Sequence, residues 1–224
     1  MNAAVRVACL AVLCVAAGCA FGRHYDYRQA FPLPKEHNLA SVTVSVQDQR
    51  PFVKDDGSGG NFVGTIRSLA GIPYPVRTAS GKPLAEDLTE SFATSLTDVG
   101  LHTEPVMLSG ERDSAAVRKV VSNPADRHLL FIVREWETDY YYRSTFSYDV
   151  SLSVYDPRGR ALATEEMKGE RDFGRVGVDD LTAASKTLVV GELMGRPTIR
   201  AAMSAEPYQF GGVGAAPEPS ALPQ

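Results

Sequence analysis

Beyond residue 19 the chain has no cysteine: Cys9, Cys14 and Cys19 are its full complement in 224 residues. A disulfide framework or a cysteine-rich zinc site in the body of the protein is thereby excluded. Histidine is scarce too. His24, His37, His102 and His128 each lack a second His or Cys three or four residues away, so no metal site is expected and no cofactor is implied. There is no Gly-x-Ser-x-Gly, which removes the nucleophile elbow of the common hydrolases, and no Gly-Lys-Ser/Thr to complete a phosphate-binding loop. Basic residues show no excess: 23 Lys and Arg stand against 27 Asp and Glu, a net charge of −4. That balance argues against nucleic acid as a partner. No repeat of fixed period is visible, and the longest early apolar run, Val7–Val15, has nine residues. A spanning helix needs roughly 20.

What is present begins at the N-terminus. Arg6 precedes the apolar run, and small residues Ala16, Ala17 and Gly18 follow it. This is the layout of an export signal. Val15-Ala-Ala-Gly-Cys19 resembles the lipobox of bacterial lipoproteins, although Ala16 stands where Leu is common. The resemblance implies cleavage before Cys19, lipidation of Cys19, and attachment to a membrane through that anchor. Ala20, in place of Asp, implies the inner leaflet of the outer membrane, facing the periplasm. Cys9 and Cys14 read as small hydrophobes within the signal. The alternative is ordinary secretion with Cys19 left as a free thiol.

Four zones follow: a signal peptide over 1–18, a lipidated tether over 19–40, a single domain over 41–205 and a disordered tail over 206–224. Pro32 and Pro34 and weak periodicity suggest the tether, and Gly, Ala and Pro dominate the tail. The domain is expected to fold without either. Val42, Val44 and Val46 alternate with polar residues, as do the even positions from Tyr140 to Val154, each pattern the two-residue period of a half-buried strand. Further strands are expected over 62–69, 74–78, 129–136 and 160–171, with a turn at Asp156-Pro-Arg-Gly159. Leu84, Leu88, Phe92 and Leu96 recur every four residues, with Pro83 before them and Gly100 after, and mark a helix. A second helix begins near Asp179, a short one lies over 199–203, and 114–121 is a weaker candidate. These elements predict an α+β domain of two layers, with a largely antiparallel or mixed sheet and two main helices on one face.

SVTVSVQDQRP at 41–51, FVGTIR at 62–67 and LAEDLTESFATSLTDVGL at 84–101 together resemble the YajG-type family of small Gram-negative lipoproteins. There, a strand ending in Asp-x-Arg precedes an Ile/Val-Gly segment and a helix closing on Gly. The likeness reaches to about residue 155, and the KDDGSGGN loop at 54–61 and the long tail depart from it. It implies an envelope location and this fold, and carries no catalytic residues.

Among polar groups, Asp48 and Arg50 are the candidate binding pair, because a guanidinium can fork onto a carboxylate or a lipid phosphate. The competing reading is a structural ion pair that ends a strand. Gly57–Gly60 reads as a flexible connection that tolerates shortening, and Tyr140 and Tyr142 are expected to face the core. The function expected is that of a membrane-anchored, non-enzymatic binding or assembly module with an envelope protein as partner. The alternatives are an auxiliary subunit of a lipid or polysaccharide transport system, or an envelope hydrolase with paired carboxylates.

Overall fold

A computed structural model describes residues 23–34 and 41–204. The alternating valines form β2 (Ser41–Asp48), and the uninterrupted apolar run lies in β6 (Arg127–Tyr140), the spine of an eight-stranded mixed sheet. With fourteen residues, β6 is long enough for two strands to share one edge. β2 pairs in parallel with its first half and β3 (Phe62–Arg67) with its last turn of residues, Gly64 opposite Thr138. The other edge holds β7 (Ser144–Tyr155), followed by β8 (Ala161–Gly174), both antiparallel. Outside β3 lie β4 (Pro73–Thr78) and then the two-residue β1 (His24–Tyr25). Outside β2 lies β5 (His102–Pro105).

One face carries Val42, Val44 and Val46, Leu129, Phe131 and Val133, and Phe146, Val150, Leu152 and Val154, all buried. Helix α1 (Leu84–Asp98) covers it with Leu84, Leu88, Phe92 and Leu96. So does a C-terminal run of α3 (Val178–Lys186), a π turn (Thr187–Gly191), α4 (Glu192–Gly195) and α5 (Pro197–Ser204). The expected α+β architecture, with two main helical units on one face, is what the chain forms. The opposite face is covered only locally. There α2 (Asp113–Val121) sets Ala116 and Val120 against Val106 and Leu130, a second small core. Further along, that face is wet, and Arg134 meets Asp149, Ser151 and Glu166 across three strands.

Two expectations are corrected here. The tether does not extend through residues 23–34: Tyr25, Tyr27 and Phe31 are buried in the main core. The short spacing of aromatics in HYDYRQAF is a strap on the domain, with Ser95 accepting from the Phe31 N–H at 2.9 Å. Nor does the long strand begin at Tyr140. β6 ends there, and residues 141–143 make the hairpin, so Tyr142 is exposed rather than core-facing. The alternation ran through the turn because Tyr140 and Tyr142 have the right parity by coincidence. The signal peptide, Cys19, residues 35–40 and the tail lie outside the described residues. Among the described residues no helix is long and apolar enough to cross a membrane.

Candidate functional site

Since β2 leaves β6 after Asp48 and β3 joins it only at Thr138, the edge of β6 between them has no strand beside it. Arg50 fills this fork. Its Nε and Nη2 donate to the two Asp48 carboxylate oxygens at 2.9 and 2.7 Å. Nη1 donates to the carbonyls of Phe62 (2.6 Å) and Trp136 (3.4 Å), and Nη2 also to that of Gly60 (2.8 Å). Each of the five guanidinium hydrogens thus has an acceptor, and the residue is 1% exposed. Arg50 therefore has no donor left for a lipid phosphate or a partner carboxylate. The binding reading of Asp48 and Arg50 gives way to the structural one. Gly64 stands at the same fork, where a Cβ would lie 2.2 Å from the Thr138 carbonyl oxygen. The Asp-x-Arg and Val-Gly signatures therefore meet in one place and serve one purpose, closing a split sheet.

The loop between them is also fixed, contrary to the flexible reading. Gly60, buried, accepts from the Leu84 N–H at 2.9 Å and so caps α1. Lys54 accepts from Gly57, and Gly57 from Gly60, in consecutive turns. This loop, residues 49–61, faces the one that leaves β5, residues 106–112. Arg112 pairs with Asp55 across the gap at 3.0 Å, and Gly110 approaches so closely that a Cβ would lie 2.5 Å from the Asp55 carbonyl oxygen. Asp113 takes φ +49, a left-handed conformation Asp tolerates, and turns the chain into α2.

Between the loops lies a cleft of about 410 Å³ at the C-terminal ends of parallel β2 and β5. That is where open parallel sheets usually receive ligands. Val46, Val53, Ala85 and Leu108 supply apolar walls; Asp48, Asp55, Asp56, Glu86 and Glu111 outnumber Lys54 and Arg112. Lys119 sits 2.7 Å from Glu111 and holds its carboxyl below the usual range. Among the described residues no three His, Cys, Asp or Glu side chains gather as metal ligands. Of the histidines, His128 is buried. Its Nδ1 lies 2.7 Å from the Thr43 hydroxyl, and burial pushes its pKa down, favouring the neutral ring. Sequence reasoning missed this cleft because its walls come from segments some 60 residues apart. The loop 106–112, VMLSGER, carries only Gly110 as a signal.

No family model and no curated protein matches the sequence. Among solved structures, the chain is similar to protein XCC0632 from Xanthomonas campestris, of family DUF330. Its TM-score is 0.50 at 16% identity, over 80% of this chain and 95% of that one. This establishes a shared fold. Weaker likenesses are to lipoprotein GNA1162 from Neisseria meningitidis (TM-score 0.33, 17% identity, 70% and 99% covered) and the PelC dodecamer from Paraburkholderia phytofirmans (0.36, 13%, 80% and 95%). Neither is close enough to carry a functional argument. None of the three carries the YajG name, so that resemblance rests on its motifs alone.

Proposed function

We propose that this is a lipid-anchored envelope protein that acts as a non-enzymatic binding or assembly module, held by Cys19 at the periplasmic side of the outer membrane. The observation that carries the binding half is the cleft between loops 49–61 and 106–112: an apolar floor under an acidic rim, bridged by Arg112–Asp55. Such a lining suits a basic segment of a partner protein, whose aliphatic side chains meet Val53 and Leu108 while its cations meet Asp55 and Asp56. The lipobox-like VAAGC supports the anchoring half; several acyl chains make membrane attachment durable. The auxiliary-subunit reading draws on a different feature, the fourteen-residue β8, whose outer edge carries no strand among the described residues and would suit strand addition.

The test has two parts. Cys19→Ala should remove acyl chains from the intact mass and release the protein from membranes; an unmodified wild-type chain would sink the anchor. A photo-cross-linker at Leu108 in intact cells should capture a defined partner, and Asp55→Asn with Asp56→Asn should weaken capture severalfold while the protein still melts cooperatively, since the Arg112–Asp55 pair is exposed and worth little. Unchanged capture would remove the cleft from the binding surface.

A further inference from the structure

Exposed apolar side chains gather at one end of the sheet. Leu69 is 89% exposed and Ile72 54% in the β3–β4 turn, and Tyr142 is 58% exposed, with Tyr141 beside it, in the β6–β7 turn. The two turns touch, since the Tyr141 hydroxyl donates to the Leu69 carbonyl at 3.2 Å. Charges behind them are neutralised in pairs: Arg67 with Asp139 at 2.5 Å and Arg143 with Asp172 at 2.7 Å. The cluster thus presents two aliphatic side chains and two tyrosines, with two ion pairs behind them.

The direction of β1 gives this cluster an occupant. β1 runs parallel to β4, with His24 opposite Arg77, and the Arg77 N–H donates to the Arg23 carbonyl. The N-terminal end of β1 therefore points toward Pro73, the end of β4 at which Ile72 and Leu69 lie. Cys19 is four residues before Arg23, a reach of at most about 14 Å. Ile72 lies four residues back from Val76, the position level with Arg23, so four residues are enough to span from Arg23 to the level of the turns. The opposite end of the sheet, at the β7–β8 turn, is about ten strand residues away, or about 33 Å, beyond that reach.

We propose that Leu69, Ile72, Tyr141 and Tyr142 form a membrane-docking face, which seats in the interfacial layer of the bilayer that holds the lipid on Cys19. This rests on the anchor reading and deepens it: the lipid sets the distance and the two turns set the orientation. Aliphatic tips enter the acyl boundary and tyrosines lie at headgroup level, where amphipathic rings are favoured.

The mature chain holds no cysteine other than Cys19, so Leu69→Cys introduces a single free thiol if Cys19 is acylated. The full-length lipoprotein, labelled there with an environment-sensitive fluorophore, is placed in vesicles of phosphatidylethanolamine, with and without phosphatidylglycerol. Blue-shifted emission, quenched by nitroxide-bearing lipids, is expected in both compositions. The same label at Arg158→Cys, in the β7–β8 turn, should stay aqueous. Intact mass of the same sample reads the anchor separately. An acylated chain whose label at 69 stays aqueous overturns docking and leaves the anchor standing. An unacylated chain with an aqueous label overturns both, and one with a quenched label keeps docking without the anchor. A shift that appears without vesicles and grows with protein concentration assigns the turns to a second copy and overturns the membrane reading.

Discussion

At residue scale the deciding contacts belong to two buried cations. Arg50 serves in place of a missing strand, so Arg50→Ala strips the guanidinium from the buried Asp48 side chain and from three carbonyl groups and should cost about 3–5 kcal/mol. Arg50→Lys should recover only part of this, because an ammonium cannot fork onto Asp48 while reaching Gly60 and Phe62. Urea midpoints give both values, and an unchanged midpoint for Arg50→Ala would refute the fork. Lys186 is the second. Its Nζ donates to the Tyr27 carbonyl (3.1 Å), the Gln29 carbonyl and the Ser91 hydroxyl (3.1 Å). Burial pushes its pKa from 10.5 to about 8, while Asp26 and Asp87 pull weakly upward. Between those values the unfolded chain holds a proton that the folded chain has lost, so stability contributed by this group rises with pH from about 8 to about 10.5. The gain is about 3 kcal/mol, and it should vanish in Lys186→Met when denaturation is followed across that window. The sequence displayed Asp48 and Arg50 as a polar pair. It did not display what buries them, because the other acceptors are backbone oxygens up to 86 residues away.

At the scale of elements, legibility followed the length of the pattern. β2, β7 and α1 each repeat their period often enough to be read. β1 and β5 have two and four residues, too few for any period, and exist because β4 and β2 offer them an edge. α2 was visible as a helix, but its place on the far face was not, since Ala116 and Val120 make a narrow stripe that fits either side. The loop 54–61 was misread for a physical reason: glycines that permit flexibility also permit tight turns. Because the Gly60 carbonyl receives both Arg50 and the Leu84 N–H, deleting Gly57–Gly60 should destabilise by about 1–3 kcal/mol for each bond lost. A thermal melt unchanged by the deletion would restore the flexible reading.

For the whole molecule, the domain begins earlier than residue 41. A fragment starting there loses Tyr25, Tyr27 and Phe31 from the core and leaves Lys186 without two of its acceptors. It should bind a hydrophobic dye and melt without cooperativity, whereas a fragment of 23–204 should melt sharply; equal cooperativity in both would show the strap to be ornamental. The contact between Lys186 and Tyr27 spans 159 residues, and it sets an order of events in time. Strap, α1 and α3 meet only after residue 186 has been made, and α5, whose Met203 is buried, completes the core later still. A growing chain therefore has no finished N-terminal half to fold early. The first residues of the domain thus wait for nearly the whole chain before they are locked, so the strap stays unpacked until residue 186 is in place.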